Sequence, residues 1–119
     1  MKKTVVIGAS AKTDRYSNRA VRTLHKHGHE VIALGFEHAM IENTTIETDW
    51  KVYDNIDTVT LYLNPQRQKE FYNYILSLQP KRIIFNPGTE NAELEQICFD
   101  NNILPLEACT LVLLSTQQY

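Results

Sequence analysis

The chain opens on a short β-branched run, Thr4-Val5-Val6-Ile7-Gly8, in which no charged residue alternates with the apolar ones. Such a run is expected of a strand covered on both faces in a parallel sheet. After a polar loop to Tyr16, Ala20, Val21 and Leu24 recur at helical spacing. Ser17 is the predicted N-cap of that helix and Gly28 the C′ residue that closes it. Glu30 to Gly35 reads as a second strand, so the opening forms a β-α-β crossover. From Phe36 to Asp57 only Met40-Ile41, Ile46, Trp50, Val52 and Tyr53 stand among polar residues, which predicts a long connection holding one short strand or turn.

Regular structure resumes with a third strand at Thr58 to Leu63. Asn64 then supplies an N-cap and Pro65 a first-turn proline for a helix whose apolar stripe is Phe71, Tyr74, Ile75 and Leu78, ending before Pro80. Arg82 to Asn86 is a fourth strand. Pro87-Gly88-Thr89 turns the chain into a helix headed by Glu90 and Glu93, with Leu94, Ile97 and Cys98 facing inward and Asn101-Asn102 at its end. Ile103 to Leu106 is a fifth strand, set at an edge because Pro105 cannot donate to a central ladder. The tail from Thr110 to Tyr119 carries Leu111-Val112-Leu113-Leu114, which either caps the core or contacts a second subunit. This alternation predicts a three-layer, doubly wound, Rossmann-like α/β fold. Its expected form is a single domain over residues 1–119, an open parallel sheet of about five strands with flanking helices.

Composition narrows the class without changing that picture. A chain of 119 residues, 43% apolar, with four glycines and four prolines, fits one globular domain. No apolar run approaches the roughly 20 residues of a membrane helix. The apolar stretch after Met1-Lys2-Lys3 is too short for a secretion signal, and Cys98 and Cys109 are not needed as a staple in a chain of this size, so a cytoplasmic setting with reduced thiols is expected. His25, His27 and His29 have no carboxylate or thiol at metal-site spacing and read as surface histidines.

The formal net charge of −2 conceals an asymmetry: residues 1–30 hold seven bases and two acids, residues 31–119 five bases and twelve acids. Lys2, Lys3 and Lys26 fall at the amino end of the predicted sheet, whereas Lys12, Arg15 and Arg19, with Arg22 nearby, fall at the opposite end. The pattern suits one small phosphorylated ligand and gives no support to nucleic acid.

In doubly wound sheets the ligand lies outside the carboxyl ends of the strands, at the switch point. That rule directs attention to Gly8 to Ser17, Gly35-Phe36, Leu63-Asn64-Pro65 and Asn86 to Thr89. The first loop, Gly8-Ala9-Ser10-Ala11-Lys12-Thr13-Asp14-Arg15-Tyr16-Ser17, is neither a dinucleotide fingerprint nor a P-loop. It offers a glycine turn, hydroxyls, two cations and the start of a helix, which are the parts needed to hold phosphates. Gly35-Phe36 stands where a dinucleotide-binding domain carries a ribose-binding carboxylate. Phe36 is suited to stacking on a base or to plugging the core.

Gly8-Ala9-Ser10-Ala11-Lys12 with Arg15, Ser17 and Arg19, then Gly28, Pro65, Pro87-Gly88 and Glu107-Ala108-Cys109, resemble the small coenzyme A-binding Rossmann-like proteins, single-domain relatives of the nucleotide-binding domain in the succinyl-CoA synthetase alpha subunit. The resemblance implies that Ser10, Lys12 and Arg15 bind the phosphates of coenzyme A, that Gly35-Phe36 borders the adenosine, and that Asn64-Pro65 and Gly88 border the pantetheine arm. The chain departs from the family's usual Asn-Pro after strand two, where it has Gly35-Phe36, and from Phe-Arg before the proline of strand three, where it has Tyr62-Leu63.

No catalytic set is legible: there are no paired carboxylates, no Gly-x-Ser-x-Gly elbow, and no room for a second domain carrying a phosphorylated histidine. Cys98 reads as core. Cys109 reads as inert, with a mixed disulfide to a ligand thiol as the alternative. The expectation is non-catalytic binding of coenzyme A or an acyl-CoA. The alternatives are an NAD(P)-dependent oxidoreductase-like domain and a ligand-free interaction domain pairing through its tail as a homodimer or with another protein.

Overall fold

The computed structural model describes residues 1–119. Strands β1 (Thr4–Ala9), β2 (Val31–Gly35), β3 (Ala39–Ile41), β4 (Thr44–Glu47), β5 (Thr58–Leu61), β6 (Arg82–Phe85) and β7 (Leu104–Glu107) form one sheet in the order β3-β4-β2-β1-β5-β6-β7. All neighbours are parallel except the β3–β4 pair. Leaving β3 aside, the parallel strands follow the doubly wound order 3-2-1-4-5-6, and the switch point lies between β1 and β5.

Helices cover both faces, as the apolar strand runs require. Val5, Ile7, Val59, Leu61, Ile83 and Phe85 pack with Ile75, Leu78, Leu94 and Cys98 on one side. These last four belong to α3 (Tyr72–Ser77), the residue that caps it, and α4 (Ala92–Asp100). On the other side Val6, Ala33 and Ile46 pack with Val21 and Leu24 of α1 (Tyr16–Lys26) and Leu114 of α5 (Thr110–Ser115). Leu114 is buried against that layer, so the tail caps the core.

The sheet has seven strands where the periodicity predicted about five. The difference is the β3–β4 hairpin inside the stretch read as a long connection. Each of its strands buries a single isoleucine, Ile41 and Ile46, and its turn is Glu42-Asn43, with Glu42 at φ 53°, rather than a glycine pair. The helix expected after Asn64-Pro65 is also divided into α2 (Pro65–Gln68), a 3-10 turn (Lys69–Phe71) and α3. Buried Gln68 accounts for the break. Its Nε2 donates to the carbonyls of Leu63 and Thr89, both at 2.8 Å, and its Oε1 accepts from Asn91 at 2.9 Å, which pins α2 to the ends of β5 and β6. Asn64 does cap α2, accepting from the Arg67 amide at 3.0 Å, with Pro65 in the first turn. Ser17 is not a cap: α1 starts one residue earlier, behind Arg15. Glu90 precedes α4, which Asn91 caps, and instead accepts from the Gly88 amide at 2.9 Å.

Pro105 fits the edge strand without loss. The amides of Leu104 and Ala108 donate inward to Lys81 and Phe85, so position 105 faces outward, where no ladder bond exists to lose.

Near the amino end of the sheet, the Lys2 amide donates to Nδ1 of His29 at 3.0 Å, and the His29 ring rests 4.9 Å from that of Tyr119. Partial burial, reinforced by the N-terminal ammonium and the charges of His27, Lys2 and Arg82, holds the His29 pKa below its usual 6.5. The folded chain therefore binds the proton less readily than the unfolded one, and stability is expected to fall as pH drops from 6.5 through the folded value. Thermal melts across that window should show a shallower acid slope in His29→Gln. An unchanged slope would assign the loss to other groups.

Candidate functional site

At the switch point β1 bulges. The pairing with β2 steps from Ile7 to Ala9 and leaves Gly8 as the extra residue, at φ 97°. A Cβ on Gly8 would lie 3.1 Å from the Tyr62 carbonyl carbon and oxygen. Only glycine allows both that backbone and that approach between the ends of β1 and β5. Gly35 performs a parallel service at the end of β2, where a Cβ would lie 2.6 Å from the Ala9 carbonyl oxygen.

The loop after Gly8 is held by α1. Asn18 donates to the Ser10 carbonyl at 2.8 Å, Arg22 Nε donates to Asn18 Oδ1 at 2.8 Å, and Arg22 Nη2 donates to the Thr13 carbonyl at 3.0 Å. Ser10 Oγ accepts from the Lys12 amide at 3.2 Å. Arg22 is thus a brace for the loop, while Lys12 and Arg15 are exposed and make no ion pair, the single salt bridge of the chain being Lys3–Glu30. No side chain caps α1, whose first-turn amides stay available to an anion.

A cleft of about 210 Å³ opens over this loop, lined by Gly8, Ala9, Ser10, Lys12, Arg15 and Phe36 together with Glu37, Tyr62, Leu63 and Arg67. Six residues anticipated from sequence therefore meet in one place. Arg67 was not anticipated. It stands in the first turn after Asn64-Pro65, a position that the Asn-Pro signal alone sets at the same sheet edge, and its guanidinium lies 4.5 Å over the Phe36 ring. Phe36 is 48% exposed, so it is a wall of the cleft rather than a core plug, and it leads an aromatic series through Trp50 and Phe71.

The remaining anticipated residues lie around the cleft. Ser17 is buried in the first turn of α1; Arg19 is directed onto the Tyr16 ring at 5.5 Å; buried Gly35 accepts from Trp50 Nε1 at 3.1 Å. Asn64 and Pro65 are spent on starting α2, and Gly88 sits in an open turn with nothing within 4 Å of a Cβ. Pro87 lines a second cavity of about 380 Å³, with Tyr16, Tyr62, Asn86, Cys109, Leu111 and Val112. Tyr62 lines both spaces, and burial raises the pKa of its phenol. Cys98 is buried, and burial, with Glu95 nearby, pushes its thiol up to about 11, as expected of a core residue.

Residues 2–115 match the family model described as a CoA binding domain. The chain belongs to the CoA-binding domain family. Membership supports coenzyme A as its small-molecule partner in general terms. A crystal structure of an uncharacterized protein is 51% identical to this CoA-binding domain, covering 100% of this chain and 98% of that one with a TM-score of 0.98. A Thermus thermophilus protein, 18% identical, covers 99% of this chain and 90% of that one with a TM-score of 0.86. A hypothetical protein from Pyrococcus horikoshii, 21% identical, covers 93% and 80% with a TM-score of 0.83. These two share the fold. No curated protein matches the CoA-binding domain, and none of its helices is long and apolar enough to cross a membrane.

Proposed function

We propose that the protein binds coenzyme A or an acyl-CoA without transforming it, with the pyrophosphate on the Ser10, Lys12 and Arg15 loop, the adenosine beside Gly35-Phe36, and the pantetheine arm leaving past Asn64-Pro65 and Pro87-Gly88. The observation that carries this reading is the meeting of Lys12, Arg15 and Arg67 in one cleft, over the uncapped start of α1, at the switch point of the sheet. Three cations free of ion pairs suit a ligand with several phosphate charges, and the Arg67–Phe36 pair offers a face for a purine. The free thiols of Cys98 and Cys109 fit a reducing, cytoplasmic setting.

Glu37 in the cleft is the one feature that favours a nicotinamide dinucleotide, since a carboxylate there suits ribose hydroxyls. A thermal-shift panel of coenzyme A, dephospho-CoA, NAD, NADP and ATP separates the readings. Coenzyme A at about 100 times its Kd is expected to raise stability by about 2.7 kcal/mol, with smaller responses to the others. A response to NADP without one to coenzyme A would replace this reading with the oxidoreductase-like one. A flat panel would leave a ligand-free interaction domain.

A further inference from the structure

We infer that the second cavity receives the acyl chain of a thioester, so that the ligand is a short- to medium-chain acyl-CoA rather than free coenzyme A; the inference rests on the binding reading above. The two spaces are chemically opposite and share a wall. The first is lined by Lys12, Arg15 and Arg67, the second mainly by Tyr16, Pro87, Leu111 and Val112, and Tyr62 faces both. A molecule with a phosphorylated head and an apolar end, joined by a flexible arm, fits that sequence of surfaces. Both spaces lie at the carboxyl ends of the strands, so the arm needs only to pass Tyr62. At about 380 Å³ the cavity is at the small end of the roughly 300–1,000 Å³ typical of ligand pockets, which favours a chain of a few carbons over a long one.

A second copy of the protein is the competing occupant. Around the cavity the exposed large apolar side chains are Tyr16, 66% exposed, and Val112, 55% exposed. A stable interface needs about 20–30 residues a side, mostly around a larger apolar centre. The patch is too small for that and well sized for a chain.

The test is calorimetric titration of the full chain with coenzyme A and its acetyl, butyryl, hexanoyl and octanoyl thioesters, alongside Val112→Glu. A fully buried methylene is worth about fourfold in affinity, and about half of that is expected in an open cavity. Hexanoyl-CoA should therefore bind at least about tenfold more tightly than acetyl-CoA. Val112→Glu should flatten the series while leaving coenzyme A within about twofold of the parent. Tyr16→Ser removes a different wall from an exposed position and should flatten it too, which covers a failure of Val112→Glu to fold. Coenzyme A binding with equal affinity for every thioester would overturn this inference alone. No binding of coenzyme A or of any thioester would overturn the binding reading as well. A flat series with a dimer in sedimentation that Val112→Glu dissociates would give the face to a second copy and likewise overturn it.

Discussion

Replacing both Lys12 and Arg15 with alanine is expected to weaken coenzyme A binding by about 3 kcal/mol, a loss of somewhat more than a hundredfold, without lowering the melting temperature of the free protein. Each side chain is exposed and free of ion pairs, so its removal breaks no internal contact beyond the loop backbone, which Asn18 and Arg22 continue to hold. What the proposed site would lose is a pair of charge-assisted hydrogen bonds to phosphate, each worth about 1.5–3 kcal/mol and placed at the lower end by solvent exposure. The loss should shrink with added salt, since the screening length falls from about 10 Å at 0.1 M to about 3 Å at 1 M. Equal affinity of the parent and the double variant at low salt would remove the loop from the site.

Asn86→Ala is expected to cost about 4 kcal/mol of stability and, in a chain of this length, about 15 °C in melting temperature. Asn86 is buried at the end of β6, and its side chain ties three elements together. Nδ2 donates to Thr60 Oγ1 at 2.7 Å and to the Leu61 carbonyl at 2.9 Å, while Oδ1 accepts from the Thr110 amide at 2.9 Å. Alanine leaves the first amide of α5 buried without an acceptor, and an orphaned buried donor costs about 1–3 kcal/mol by itself. Thr60→Val is the informative contrast. It removes one hydroxyl, which accepts from Asn86 at 2.7 Å and is bonded to Thr110 at 2.8 Å, but leaves Asn86 joined to Leu61 and Thr110, so it should cost about 2 kcal/mol, half the loss from Asn86→Ala. A loss from Asn86→Ala no greater than that from Thr60→Val would show that the bonds do not act as one network.

The parallel core and the edge that carries the cleft were legible in the sequence because each depends on a local signal. The β-branched runs of β1 and β5, Gly28 just past α1, Asn64-Pro65 opening α2 and Pro105 at the edge all stand where their chemistry predicts. The β3–β4 hairpin was not legible, because one buried isoleucine per strand gives no period and Glu42 enters positive φ without glycine. The division of the 65–77 helix was hidden for a different reason. It follows from Gln68 reaching residues far along the chain, a tertiary demand that leaves no trace in spacing. In the cleft, the loop from Gly8 to Arg15 was read from the switch-point rule together with its residue types, whereas the meeting of Arg67 and Tyr62 with that loop depends on the pairing that sets the ends of β5 and β1 side by side.

Proline at the outward-facing position of β7 has a consequence for the molecule in a crowded solution. An open sheet invites a neighbour's strand to dock along its rim, and repeated docking of that kind builds fibres. On this rim one donor is missing by covalent structure, so a foreign strand would meet a gap in the ladder however it was registered. Pro105 thus guards colloidal behaviour at no expense to the sheet it belongs to.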